Sequence, residues 1–262
     1  MVVNWSFEAI KWKILIEKIQ KINFYTSLKA VMAGITVSAF TPNRVGEFGG
    51  RIFFLEPENR SKGIVLTFLG NTAQLLVTIV IGAFVFMFYL AFFTPLKNYF
   101  LILIDLLMVL IIIFFPLIYF KNERFKKYFF KLKFLRKHEE KINLFFTFSS
   151  SELLNLLFFS FCRYIIFTMQ FYFLLCVFGV EIPFLSACIL IVMIFSTTTF
   201  IPTFALTELG VRSSAAILFL GIFSPNVIGI ALASIALWIV NIALPALIGS
   251  FTIFKIPFFK QK

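Results

Sequence analysis

Long apolar runs alternate with short polar or charged stretches along most of the chain. A helix needs about 20 mainly apolar residues to cross a bilayer. Four runs reach that length: residues 63–96, 98–120, 148–180 and the part of 213–254 that follows Ser224-Pro225-Asn226. The pattern therefore predicts four transmembrane helices.

Two further apolar runs are shorter and end in turn-forming residues. Residues 24–40 end before Thr41-Pro42-Asn43, and residues 184–201 end before Pro202. A segment with Glu and Arg follows each run, and then another apolar piece. Short apolar segments interrupted by Pro or Gly, in corresponding places, are typical of broken or re-entrant helices. We expect one helical hairpin at each place.

A sequence motif recurs after the two short runs. Residues 41–51 read TPNRVGEFGGR and residues 201–212 read IPTFALTELGVR, so both contain Pro followed by Glu-x-Gly-x-Arg. This recurrence indicates an internal duplication, with repeat A at about 1–96 and repeat B at about 149–255. Three predicted spans separate the motifs, and an odd number inverts the orientation. We predict two inverted-topology repeats, each with a broken or re-entrant hairpin, as in alternating-access carriers.

Each motif places its Glu four residues before its Arg, Glu47 before Arg51 and Glu208 before Arg212. That spacing puts both side chains on one helix face in the favourable order. The glycine between them is expected to let another helix approach closely. A charged side chain inside a bilayer costs at least about 2.5–3.5 kcal/mol, so such residues are usually paired and functional. Two interpretations stay open: ion pairs that hold each hairpin together, or a substrate-facing site.

The composition indicates the class of protein and leaves the predicted helices unchanged. The chain has 262 residues, of which 61% are hydrophobic and 14% are charged. Soluble domains have about 25% charged residues, so an ordinary soluble globular protein is excluded. We predict an all-α integral membrane protein, a polytopic helical bundle forming one transmembrane domain over residues 1–262. Its three cysteines lie in apolar runs without metal-ligand spacing, so no metal or other cofactor is expected.

The net charge of +12 is concentrated outside the apolar runs. Residues 121–141 contain nine Lys or Arg and three Glu, and the chain ends in Lys255, Lys260 and Lys262. The positive-inside rule places this basic loop and the C-terminus in the cytoplasm. The loop either contacts an anionic leaflet or only sets the topology. Nucleic acid is not an expected partner, because the sequence has no solvated basic face with base-reading groups.

The charges inside apolar segments are mostly arginines, and arginine binds phosphate through a planar fork of donors. This favours an anionic or zwitterionic phosphate ligand, such as a phospholipid headgroup whose amine the acids could receive. The candidate substrate-binding residues combine these charges with polar residues of the spans: Arg44, Glu47, Arg51, Glu208, Arg212, Arg163, Asn71 and Gln74. Asp105 is a lone acid in the second span, and its role stays open.

The two motifs, together with NWSFEAIKW at residues 4–12, resemble the lysylphosphatidylglycerol synthase transmembrane family in its compact form, which lacks the soluble aminoacyl-transferase domain. The resemblance implies a multi-pass protein of the bacterial inner membrane, some relatives of which move aminoacylated phosphatidylglycerol or other lipids between leaflets. One departure is visible. By the repeat offset of about 160, residues 148–180 correspond to residues 1–20, which carry too many charges for a span, so repeat A is expected to be shortened at its N-terminal end.

We therefore expect a lipid flippase or lipid carrier that moves an anionic or aminoacylated phospholipid across the inner membrane. The alternative is a secondary transporter for a small solute or ion that uses the same inverted-repeat site. An enzyme is not expected, because a transferase with Asp105 or Glu47 as base finds no support in a Ser/His, metal-ligand or nucleotide motif. The sequence leaves a homo-oligomer open.

Overall fold

A computed structural model describes residues 1–93, 99–120 and 143–254, and this part of the chain is helical without β-strands. Its α-helices are α1 (Val2–Ile16), α2 (Phe24–Ser38), α3 (Gly46–Ile52), α4 (Arg60–Phe93), α5 (Tyr99–Phe120), α6 (Ser150–Val177), α7 (Phe184–Thr199), α8 (Ala205–Leu220), α9 (Val227–Trp238) and α10 (Leu244–Phe254). Four segments are long and apolar enough to cross a membrane: Pro57–Leu90, Ile102–Phe120, Ser150–Val177 and Val227–Phe254. The predicted helical class and the four spans are confirmed.

The two short apolar runs form the first legs of two hairpins. Asn23 is the N-cap of α2, because its side-chain oxygen accepts a hydrogen bond of 2.7 Å from the backbone N–H of Thr26. After α2, a 3₁₀ turn at Pro42–Arg44 leads into α3, which packs against α2. In the second hairpin, Pro202 lies in the turn between α7 and α8, and these helices also pack together.

The N-terminal residues form a helix although they are too charged for a predicted span. Helix α1 packs against α2, α4 and α6 and buries Trp12, whose indole N–H donates to the hydroxyl of Thr67 at 3.0 Å. Glu8 and Lys11 lie on the buried side of α1, and each is only 1% exposed. Their charges are compensated inside the protein, which is why a helix with several charges can be buried here.

The last predicted span is interrupted in a way that hydropathy does not reveal. Asn226 caps α9 by accepting from the N–H of Gly229 at 2.9 Å, which confirms the predicted break before this span. Further along, residues Ile239–Ala243 form a π-helical turn between α9 and α10. Pro245 follows and has no N–H to continue the helical hydrogen-bond ladder. The turn buries Asn241 inside the bundle.

Two apolar cores pack along α6, one against its first half and the other against its second half. One contains Trp12 of α1 and Leu66 of α4, and the other contains Phe171, Ile191 and Leu237 from α6, α7 and α9. Helix α5 packs on α4 and exposes most of its aliphatic side chains. The predicted basic loop at 121–141 and the three C-terminal lysines lie outside the described residues.

One expectation about the motif glycines is wrong. A Cβ atom on Gly49 or Gly210 would meet no heavy atom within 4 Å, so neither glycine allows a close helix approach. The close approach occurs one residue later in the first motif, where a Cβ on Gly50 would lie 2.5 Å from the carbonyl oxygen of Ala33. Helix α3 turns Gly50 toward α2 and leaves Gly49 facing open space, because neighbouring helical residues point about 100° apart.

Two other glycines make matching contacts between the halves of the chain. A Cβ on Gly82 of α4 would lie 2.1 Å from the hydroxyl of Ser196 in α7, and one on Gly249 of α10 would lie 2.3 Å from the hydroxyl of Thr36 in α2. Ser196 follows Thr36 by 160 positions, and Gly249 follows Gly82 by 167. In each half of the chain, a glycine of a long apolar segment therefore packs against the hairpin of the other half.

Candidate functional site

The tips of the two hairpins meet through a cluster of three charged side chains, which we call the tip cluster: Arg44, Glu208 and Arg212. The Nη2 atom of Arg44 lies 2.9 and 2.8 Å from the two carboxylate oxygens of Glu208. Arg212 donates to the same carboxylate at 2.5 Å from the next turn of α8. The predicted Glu208–Arg212 pair is thus formed, and Arg44 adds a bridge from the first hairpin.

The backbone of the first tip is held in an unusual conformation. Asn43 and Arg44 have φ values of 50° and 56°, in the left-handed region. Such a conformation costs a residue with a side chain roughly 1–2 kcal/mol, and it persists only where surrounding contacts impose it. One such contact is the hydrogen bond of 3.0 Å from the N–H of Asn43 to the carbonyl of Thr203 in the other tip. This turn aims Arg44 at Glu208.

A second group of charges, the hub cluster, lies deeper and is centred on Glu8: Glu8, Lys11, Glu47, Arg51 and Arg163. The Glu8 carboxylate accepts from Lys11 and Arg51 at 2.8 Å each, and it also pairs with Arg163. Arg51 additionally pairs with Glu47, as the motif spacing predicts. Helices α1, α3 and α6 are joined by this one carboxylate.

Sequence reasoning missed Glu8 and Lys11 as site residues because residues 1–20 carry too many charges for a predicted span. A signal for their burial was present. Glu8 and Lys11 are three residues apart and lie on the same helix face as Trp5 and Trp12. A charged pair framed by large aromatic residues on one face is typical of a buried pair rather than a solvated one.

Both clusters carry a surplus of positive charge. The tip cluster has two arginines and one carboxylate, and the hub cluster has three bases and two carboxylates. Each has a formal charge of +1. Arg212 and the hub cluster are largely buried, whereas Arg44 is partly exposed. Because buried charges are costly unless compensated, this surplus favours a negatively charged ligand nearby.

Two cavities open next to the tip cluster. The tip cavity has a volume of about 550 Å³ and is lined by Arg44, Glu208 and Arg212 together with residues 198–203 of the second tip. The central cavity has a volume of about 220 Å³ and lies among α1, α4, α6, α7 and α8. Arg44, Thr199 and Arg212 line both cavities, so the two spaces adjoin at the arginines.

Three residues that line the central cavity carry buried donor atoms with no hydrogen-bond partner among the described residues. Atoms Nε and Nη1 of Arg212, Nε1 of Trp5 and the hydroxyl of Tyr164 are buried and make no hydrogen bond. Arg163 and Arg44 also line this cavity, and none of the described residues that line it carries a carboxylate. Buried polar groups are normally hydrogen-bonded. These groups can therefore donate hydrogen bonds to an anionic oxygen of a ligand.

Amide side chains connect the helices around the central cavity. Arg163 donates to the side-chain oxygen of Asn4 at 3.0 Å and faces that of Gln74 at 3.5 Å. Asn4 also donates to Asn241 at 3.3 Å, and Asn241 donates to Gln170 at 3.0 Å. This network fixes the Arg163 guanidinium at the cavity wall.

The residues predicted for the site divide into three groups. Four of them line the central cavity or both cavities: Arg44, Arg212, Arg163 and Gln74. Glu208 lines the tip cavity, whereas Glu47 and Arg51 lie behind the cavities in the hub cluster. Asn71 of α4 lines neither cavity. Asp105 on α5 belongs to neither cluster, and its Oδ1 atom is buried without a hydrogen bond.

Comparisons with known proteins give one match. The family model described as "Lysylphosphatidylglycerol synthase TM region" matches residues 1–250. No curated protein and no solved structure matches the chain. Within residues 1–93, 99–120 and 143–254, no three His, Cys, Asp or Glu side chains are grouped as metal ligands would be.

Proposed function

The chain belongs to the lysylphosphatidylglycerol synthase transmembrane family, and on this premise we propose that it is a lipid carrier rather than an enzyme. The family and the four apolar spans make it a multi-pass membrane protein linked to lipid handling. The proposed activity is the movement of an anionic or aminoacylated phospholipid between the leaflets of a bacterial inner membrane. The C-terminus and the 121–141 loop would then lie in the cytoplasm, facing anionic lipid.

The observation that carries this proposal is the set of unpartnered donors at Arg212. A hydrogen bond to a charged group contributes about 1.5–3 kcal/mol, and a buried donor left without a partner costs a similar amount. A lipid phosphate in the central cavity would accept from Nε and Nη1 of Arg212 as a fork. Arg44 and Arg163 line the same cavity and would share the phosphate charge. Glu208 would receive an amine on an aminoacylated headgroup.

The hairpin tips supply a way to alternate access to this site. The Arg44–Glu208 pair and the Asn43–Thr203 hydrogen bond hold the tips together. Arg44 lines both cavities, so a phosphate that draws Arg44 away from Glu208 would also loosen the contact between the tips. The matching glycine contacts of the two halves support equivalent, inverted repeats that rock against each other.

The proposal is tested by lipid translocation in reconstituted vesicles. Phosphatidylglycerol with a fluorophore on one acyl chain is placed in both leaflets, and a membrane-impermeant quencher reports transfer to the outer leaflet. We expect transfer with the unmodified protein. With Arg212→Gln we expect the rate to fall at least about tenfold, because one charged hydrogen bond is lost. Lys13→Gln serves as the control, since Lys13 forms a solvent-exposed pair with Glu17. Equal rates in Arg212→Gln and the unmodified protein would overturn the proposal, as would transport of inorganic phosphate without lipid transfer.

A further inference from the structure

An apolar groove adjoins the two arginine-lined cavities. It has a volume of about 410 Å³ and lies among α4, α5, α7 and α8. Ile79 and Phe86 of α4 and Met108 of α5 form one side, and Met193 of α7 and Phe219 of α8 form the other. Helix α5 otherwise packs chiefly on α4, so it forms the outer wall of the groove.

The serine and threonine hydroxyl groups in the groove do not make it polar. Thr78, Ser196, Thr197 and Thr199 donate to carbonyls four residues earlier in their own helices, at 3.1, 2.8, 2.8 and 2.7 Å respectively. Their hydrogens are therefore used within the helix, and each threonine adds a methyl group. This is the opposite of the central cavity, where buried donors of Arg212 have no partner.

The groove and the polar cavities share lining residues, so they offer adjoining space for one ligand. Thr78 and Thr199 line both the groove and the central cavity, and Thr199 and Phe200 line both the groove and the tip cavity. A ligand that fills this space has an anionic end at the arginines and an apolar chain beside it. We propose that the groove binds one acyl chain of the same lipid whose phosphate meets Arg212. This inference rests on the proposed function.

The groove gives specificity rather than affinity. The hydrocarbon of the bilayer is as apolar as the groove, so moving an acyl chain from lipid into the groove brings no net hydrophobic gain. The arginines hold the headgroup, and the groove keeps the chain in a hydrocarbon environment while the headgroup lies inside the protein. The site therefore selects lipids that carry both a phosphate and a chain that fits along α4 and α7.

Photochemical labelling in vesicles tests this assignment. The probe is phosphatidylglycerol with a diazirine in its acyl chain, and a diacylglycerol with the same chain is the probe without phosphate. We expect the first probe to label peptides that contain Met193 and Met108 several-fold more than the second does. Met108→Trp, which fills the groove, is expected to reduce that labelling several-fold. Leu106→Trp is the matched control, because Leu106 is 62% exposed on α5 and does not line the groove.

The outcomes separate this inference from the proposed function. Equal labelling by both probes, or labelling unchanged by Met108→Trp, would overturn the groove as a site for the bound lipid, even if translocation is observed. If Met108→Trp proves unstable, Ile111→Trp in the same groove wall replaces it. Preferential labelling of the groove in a protein that transfers no lipid would support the groove and contradict transport.

Discussion

Glu8 accepts from three cations in the described part of the chain, Lys11, Arg51 and Arg163. Its side chain is 2% exposed, so no water compensates these charges if the carboxylate is lost. Arg163 forms part of the central cavity wall, and Arg51 holds α3. A single residue of α1 thus positions groups on two other helices.

Neutralising this carboxylate should destabilise the protein strongly. We expect Glu8→Gln to lower the free energy of unfolding by about 3–5 kcal/mol, because it leaves buried cations without a counter-charge. Glu17→Gln on the same helix is the control. Glu17 pairs with Lys13 at the surface, and such pairs contribute about 0–1 kcal/mol. Thermal unfolding in detergent measures both variants, and equal melting temperatures would show that Glu8 is not an essential counter-charge.

Adjacent glycines in α3 should respond differently to the same substitution. A Cβ on Gly50 would collide with the backbone of Ala33 and Gly34, so Gly50→Ala is expected to destabilise by about 1–3 kcal/mol through overpacking. Gly49→Ala meets no neighbour and should be neutral or stabilising by about 0.5–1 kcal/mol, because alanine favours the helix. Unfolding of the two variants under identical conditions checks the order, and the reverse order would contradict the packing described for α3.

At the scale of elements, the tips of the two hairpins meet through polar groups on both sides. The left-handed turn at Asn43 and Arg44 is stabilised by contacts with Thr203 and Glu208 of the second hairpin. Contacts of this kind are easily released when a competing ligand binds one partner. The proposed alternating access therefore assigns the movement to the tips.

Removing the bridge should let the tips separate. We expect Arg44→Ala to broaden the distance distribution between spin labels at Phe40 and Leu206, which are exposed near the two tips. Lys29→Ala, on the same hairpin, should leave the distribution unchanged because Lys29 lies in the first half of α2, where its ammonium group contacts the ring of Tyr25. Pulsed electron paramagnetic resonance measures both. Identical distributions in Arg44→Ala and the unmodified protein would mean that the backbone contact alone holds the tips.

The sequence predicts these elements unevenly, for physical reasons. Long apolar runs and prolines determine spans and breaks locally, so the four spans and both hairpins could be predicted. The burial of α1 could not be predicted, because it depends on compensation of the Glu8 charge. Arg51 and Arg163 provide this compensation, and both are distant from Glu8 in the sequence. The bridge from Arg44 to Glu208 was likewise hidden, since it joins residues 164 positions apart. The motif spacing revealed only the pairs within each helix.

At the scale of the whole molecule, the matching contacts of Gly82 with Ser196 and of Gly249 with Thr36 relate the two halves. Three helices that can cross a membrane separate the motifs, which supports opposite orientations of the halves. The hairpins would then open toward opposite faces, and the arginines would lie where the hairpins meet. A lipid could reach this site from either leaflet.

The proposed inverted orientation predicts which loops face which side of the membrane. In a variant without native cysteines, we expect a cysteine at Glu58 to react only with reagent on the cytoplasmic side, because it follows the first hairpin. A cysteine at Glu181, which precedes the second hairpin, should react only from the opposite side. Both positions are exposed. Labelling of both from one side in right-side-out and inverted vesicles would contradict the inversion.

The central claim is that an anionic lipid headgroup lies inside the protein at Arg212. The most direct measurement is a structure of the protein in lipid nanodiscs that contain phosphatidylglycerol. We expect density for a phosphate within about 3 Å of Nε or Nη1 of Arg212, with an acyl chain running from it along α4 and α7. Phosphates found only at the bilayer surface, with no lipid density between Arg212 and Arg163, would contradict the claim.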